Sequence, residues 1–277
     1  MKLHITTSGK YLALLLAAWI IVNSIVLWVR YEPIPANLQL TIGTETLQMV
    51  FVKGGTFQLG ESEEALEGED NFTRKWLAEQ MPKHQVTLSD YYIGACEVTQ
   101  GLWQEVMGNN PSATKGKHLP VTNVSWHEAQ LFIEALSQRT GRHFRLPTDA
   151  EWVYAARGGE KQSSQRYAGS DHLYEVAWAK GNAGETVHNV MQKLPNSLGI
   201  YDMCGNVMEW CHDWYAPYPN ISETNPTGSP IGVYKVAHGG AWRASEIFCL
   251  PSIRTYDDPA KGYNYLGFRL ALDASAY

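Results

Sequence analysis

The side chains of this 277-residue chain best suited to redox, nucleophilic or soft-metal chemistry are four cysteines, Cys96, Cys204, Cys211 and Cys249. There is no Cys-x-x-Cys pair and no Cys/His zinc spacing, so neither a thioredoxin-like dithiol nor a zinc knuckle is implied. Four cysteines allow three pairings, and spacing does not choose among them. A second group is harder in character. Asp202 and Glu209 flank Gly205-Asn206, two carboxylates around a tight turn able to expose carbonyl oxygens, which is the mixed oxygen set a Ca2+ ion takes. His212 and His238 lack ligand spacing to one another and read as surface or core histidines. Six acidic residues between Glu61 and Asp70 read as a solvated loop.

The elements that must position these groups are short. With 44% hydrophobic and 18% charged residues, the chain is ordinary globular material and not a disordered one. Its 24 Gly, 13 Pro, 10 Trp and 15 Tyr favour short elements and ordered loops over a helical bundle. A net charge of −6 removes nucleic acid as a default partner and leaves no polybasic surface for anionic lipid. Tyr11 to Val29 is an apolar run preceded by Lys2 and Lys10 and closed by Arg30. It is long enough to span a bilayer and has no small-residue cleavage site at its end. The expected organisation is a cytoplasmic N-terminus at 1–10, a transmembrane anchor at 11–29, a linker at 30–46 containing Pro33 and Pro35, and one exported domain at 47–272. In a bacterium this domain would lie on the periplasmic side of the inner membrane. An oxidising compartment permits disulfides, and one bridge plus two buried thiols is the expected state.

Within the domain, Met49 to Val52 and Thr56 to Leu59 on either side of Gly54-Gly55 read as a hairpin. Ser125-Trp126-His127-Glu128 is a capping box ahead of apolar positions at Ala129, Phe132, Ile133 and Leu136, with Gly141 as the stop. Thr148-Asp149-Ala150-Glu151 repeats the device, and that helix is expected to run to Arg157 before Gly158-Gly159. Beyond Gly159 there is little helical periodicity. The fold class is α+β, dominated by loops.

Several segments then occur in a characteristic order: Gly55-Thr56-Phe57, Glu97-Val98-Thr99, Arg145-Leu146-Pro147-Thr148-Asp149-Ala150-Glu151-Trp152, Gly205-Asn206-Val207-Met208-Glu209-Trp210, Gly239-Gly240-Ala241-Trp242 and Gly267-Phe268-Arg269. The chain resembles the formylglycine-generating enzyme family, also called the sulfatase-modifying-factor family. The resemblance implies a single compact C-type-lectin-like FGE-sulfatase domain with low regular secondary structure. It also implies a calcium site made by the Asp202 side chain, the Gly205 and Val207 carbonyls and the Glu209 carboxylate.

Enzymes of that family oxidise a sulfatase cysteine to formylglycine with copper held by two cysteines, two and seven positions after the aromatic of their Gly-Gly-Ser-aromatic motif. Here the aromatic is Trp242, the first position is Ala244, the second is Cys249, and Ala241 replaces the serine. Two soft thiolates suit Cu(I), and one is missing, so copper is not expected. Shortened relatives carry both Cys211 and Cys249, either as a redox or metal pair, with His238 a further ligand, or as a disulfide; the disulfide is favoured for an exported domain. The resemblance therefore leads to an accessory, ligand- or protein-binding member, with a Cys249-dependent oxidoreductase or protein-maturation enzyme as the alternative. Trp242, Phe248, Tyr256, Tyr263 and Tyr265 would suit a protein, peptide or carbohydrate ligand outside the cytoplasm.

Overall fold

The structure is a computed structural model and describes residues 37–274. The cytoplasmic segment and the anchor expected at 11–29 lie outside the described residues. Among those described, no helix is long and apolar enough to cross a membrane.

The described residues begin with a hairpin. Strands β1 (Asn37–Ile42) and β2 (Glu45–Val52) pair in antiparallel register across a two-residue turn at Gly43-Thr44. The segment 37–46 expected to be linker is therefore part of the domain; alternating burial along β1 and β2 shows that half of its side chains pack inward. Strands β3 (Thr56–Leu59), β4 (His84–Thr87) and β5 (Tyr91–Gly94) follow. The hairpin expected across Gly54-Gly55 does not form. Both edges of β2 are taken, by β1 and β5, so β3 pairs with β4 in a separate sheet.

Helix α1 (Asn71–Ala78) is capped by Asp70, whose carboxylate accepts from the Phe72 and Thr73 amides. The acidic run before it is spent on that cap, on a 3-10 turn at Glu63–Leu66, and on ion pairs from Glu61 to Arg157 and from Glu69 to Arg166. Helix α2 (Gln100–Met107) starts at Thr99, whose hydroxyl accepts from Leu102 N–H. Helix α3 (Trp126–Thr140) has the capping box at Ser125 and Glu128 and ends at Gly141; its inward face is Ala129, Phe132, Ile133 and Leu136. Helix α4 (Asp149–Ala156) carries the Thr148/Glu151 box and is buried on every side.

Strands β6 (Phe144–Arg145), β7 (Ala177–Trp178), β8 (Cys204–Gly205), β9 (Met208–Trp214), β10 (Glu223–Thr224), β11 (Lys235–His238), β12 (Thr255–Asp257), β13 (Leu266–Gly267) and β14 (Ala271–Asp273) are mostly very short, and one brief helix, α5 (Leu173–Val176), interrupts them. β10 joins β4 in the β10-β4-β3 sheet, and β7 pairs with β8. The first sheet is ordered β1-β2-β5-β14-β6, so the last strand lies between β5 and β6. The sheet ordered β12-β11-β9-β13 carries the residues of interest. Around α4 the core is Trp152, Tyr154, Tyr91 and Ile93; around α3 it is Trp103, Phe132, Phe268 and Trp210. Trp103 stacks on Phe132 at 5.2 Å, and Phe268 meets Phe132 edge-on at 5.5 Å.

Candidate functional site

The turn from β8 into β9 is held in a conformation few residues tolerate. Gly205 has φ +75°, and a Cβ there would lie 2.2 Å from the Trp178 carbonyl oxygen, so only glycine fits. Asp202 and Asn206 also take positive φ, 56° each. The turn is pinned by Gly205 N–H to Gly239 O, Asn206 N–H to Trp178 O and Trp242 N–H to Asn206 O. The Asn206 side chain donates to Glu97 Oε1 at 3.0 Å and accepts from His188 N–H at 3.0 Å. The conformation thus couples the turn to both the Glu97 and the Trp242 segments.

Asp202 and Glu209 do share one buried cluster, but its logic is an ion pair. Arg269 Nη2 donates to Glu209 Oε1 at 2.6 Å, and Arg269 Nε and Trp152 Nε1 donate to Oε2, the latter at 2.7 Å. Neither Glu209 nor Arg269 has any exposed surface. Burial works against the guanidinium, yet the Glu209 charge and its hydrogen bonds more than offset this and raise the Arg269 pKa. The remaining carboxyls pay in protonation. Burial, then the charges of Asp202 and Glu209, pushes Glu97 well up, and burial pushes Asp202 up to about 6. Asp202 accepts from Met191 N–H at 2.7 Å. Of the expected calcium set of Asp202, Gly205, Val207 and Glu209, both Glu209 oxygens are engaged by these donors. Among the described residues no group of three or more His, Cys, Asp or Glu is arranged to hold a metal ion.

The cysteines are not brought together as expected. All four are free thiols. Cys211 is fully buried on β9; burial and then the Asp149 and Asp213 charges push its pKa well up. Cys249 sits at the end of a 3-10 turn with its thiol turned into the core against Gly240 and beside Cys204, whose Sγ–H donates to the Cys249 carbonyl at 3.0 Å. Burial, then Cys204, pushes Cys249 well up. The expected Cys211–Cys249 bridge is not formed: Cys211 is a free thiol buried on β9, and Cys249 is a free thiol packed against Gly240. A buried, protonated thiol is also a poor nucleophile. His238 has no ligand role either. Its Nε2 lies 2.7 Å from Asp149 Oδ1 and its ring stacks on Trp152 at 4.7 Å, both fully inside the protein.

What the Trp242 loop does form is a cavity of about 460 Å3 lined by Lys180, Met208, Ala241, Arg243, Ala244, Ser245, Phe248, Thr255, Tyr256, Asp257 and Tyr265. Ala244 offers its wall only a methyl group. The acid of the cavity is Asp257, pushed up by burial against the hydrogen bonds of the Tyr263 and Tyr265 hydroxyls. Arg243 lies over the Tyr265 ring at 4.7 Å. Tyr256 packs on Tyr215 at 4.3 Å and Tyr234 at 5.2 Å. The aromatic residues expected to make contacts therefore divide: Phe248, Tyr256 and Tyr265 line the cavity, Tyr263 packs on Tyr265, and Trp242 donates to Asn264 O at 3.3 Å. Asp257 and Lys180, not singled out from the sequence, complete it. Their signal was weak: Asp257 is one of two adjacent acids at the end of β12, and Lys180 is a single base ahead of Gly181-Asn182.

Residues 39–274 match the Sulfatase-modifying factor enzyme 1-like domain. The chain is 33% identical over 257 residues to the Chaperone protein LppX of Paenibacillus barcinonensis, covering 74% of this chain and 82% of that protein. It is 32% identical over 191 residues to the Formylglycine-generating enzyme of Streptomyces coelicolor, covering 62% of this chain and 58% of that enzyme. Among solved structures, Treponema denticola variable protein 1 aligns with a TM-score of 0.77 at 30% identity, over 86% of this chain and 99% of that one.

Proposed function

From the premise that this chain belongs to the Sulfatase-modifying factor enzyme 1-like family, we propose that it is a binding member of the family, an accessory protein that holds a polypeptide segment in the Trp242-loop cavity and carries out no oxidation there. The observation that carries this reading is the cavity itself. Ala244 stands in its wall where a copper-binding family member needs a thiolate, and the Cys249 and Cys211 thiols are buried elsewhere. A Cu(I) site needs two soft ligands, and the cavity presents one, the Met208 thioether, and no thiolate. What it does present is aromatic surface, two cations and one acid, a composition suited to side-chain and main-chain contacts. A relative whose name is Chaperone protein LppX supports a protein-directed role. Display outside the cytoplasm from an N-terminal anchor is part of the same proposal and rests on the apolar run from Tyr11 to Val29.

The test is a fluorescence-anisotropy titration of the full chain, kept in mild detergent, against fluorescein-labelled, reduced and carboxymethylated lactalbumin, a permanently unfolded polypeptide. Saturable binding that is lost when the cavity is filled by Ala244→Trp is the expected result. Binding indifferent to Ala244→Trp, or no binding, overturns the reading.

A further inference from the structure

Resting on the polypeptide-binding reading, we propose that the outer edge of β12 pairs with the main chain of the bound segment, adding it as a further strand to the β12-β11-β9-β13 sheet, with a carboxylate of that segment set against Lys180 and Arg243. The sheet ends at β12 on this side. Its inner edge is committed to β11 in the register Thr255 with Ala237, Tyr256 with Val236 and Asp257 with Lys235. Among the described residues, Thr255–Asp257 make no other backbone-to-backbone hydrogen bond. A strand bonded on one side only keeps part of its N–H and C=O groups pointing outward, and an extended chain is what pairs with such a row. All three β12 residues line the cavity, so this edge borders the space a ligand would fill.

The surroundings specify the occupant further. Successive strand side chains face opposite sides. Tyr256 packs into the Tyr215/Tyr234 group, and the neighbouring loop exposes Ile231 at 80% and Val233 at 73%, the most exposed large apolar residues described. Thr255 and Asp257 face the opposite side, where the Tyr263 and Tyr265 hydroxyls work against the upward push of burial on the Asp257 pKa. Lys180 and Arg243 line the cavity, yet neither forms an ion pair with any described carboxylate. Two cations against the single acid Asp257 leave the lining net positive, and an acidic side chain complements it. The edge is three residues long, so the paired stretch is short. A short segment mixing apolar and acidic side chains in extended conformation fits all of these features.

Amide hydrogen exchange of the full chain in detergent, with and without saturating carboxymethylated lactalbumin, tests the pairing. The expected result is a slowing of about tenfold for at least one amide among Thr255, Tyr256 and Asp257. The second arm is the Lys180→Glu/Arg243→Glu double variant, expected to weaken the anisotropy-measured affinity about tenfold. Saturable binding with unchanged exchange at 255–257 overturns the edge pairing while leaving polypeptide binding in place. Undiminished affinity in the double variant overturns the carboxylate assignment. Absence of saturable binding to the wild type overturns both the inference and the reading it rests on.

Discussion

Replacing Glu209 by Gln isolates the interaction on which the β8–β9 region depends. In the native protein the carboxylate accepts from Arg269 Nε and Nη2 and from Trp152 Nε1. An amide in the same place keeps one acceptor oxygen and turns the other position into a donor facing a donor. Arg269 then stays charged and fully buried with no negative partner, left with the amide oxygen and the Gly94 and Tyr201 carbonyls, each of the latter at 3.0 Å, as acceptors. Breaking one partner out of a buried ion pair costs about 3–5 kcal/mol. For a domain of this size 1 kcal/mol corresponds to about 2–4 °C, so Glu209→Gln should lower the melting temperature by about 6–20 °C. The assay is thermal unfolding followed by circular dichroism in the presence of a calcium chelator. The chelator gives the experiment its direction, because a role as ion-pair partner operates without metal. If wild type and Glu209→Gln melt within about 2 °C of each other in chelator and separate only when calcium is restored, Glu209 is a metal ligand and the ion-pair account is refuted.

Three further outcomes follow from the same geometry. Asp202 titrates near pH 6 in the folded protein, above its ordinary range, so its contribution to stability is present at low pH and is lost as pH rises through about 6; the stability of Asp202→Asn relative to wild type should therefore climb between pH 4 and 7, and a flat difference across that window would reject the buried assignment. Thiol titration with a chromogenic disulfide should find four reactive thiols after unfolding without reductant and none reacting promptly in the native state, whereas two or fewer on unfolding would establish a disulfide. Gly205→Ala should destabilise by more than about 3 kcal/mol in urea unfolding, since the added Cβ meets backbone at Trp178 in addition to straining a φ of +75°; a loss under about 1 kcal/mol would mean the turn is free to move.

How much of this was legible in the sequence depends on how far apart the deciding groups lie. Ser125 and Thr148 cap helices through partners three residues on, and both capping boxes are present as read. The Gly205-Asn206 turn was visible for the same reason. Arg269, by contrast, meets Glu209 from 60 positions away, and nothing local marks a Gly-Phe-Arg segment as the counter-ion of a carboxylate. Its one hint is a charge inside the otherwise apolar run from Leu266 to Leu272, a place where a cation is kept only by a buried partner. The cysteine reading failed similarly. The resemblance tied Cys249 to Cys211, whereas the short turn at Glu246–Cys249 sets the Cys249 carbonyl against the Cys204 thiol. The Gly54-Gly55 hairpin was lost to competition: β2 already has two strand neighbours, and local sequence carries no record of them.

The central claim is that the Trp242-loop cavity binds and does not oxidise, and the most direct measurement is mass spectrometry of a Cys-x-Pro-x-Arg peptide incubated with the copper-loaded full chain under air. With Ala244 in the cavity wall and Cys249 buried against Cys204, the peptide cysteine should remain a thiol or simple disulfide over the incubation. Copper-dependent conversion of that cysteine to an aldehyde, abolished by Cys249→Ser, would contradict the account.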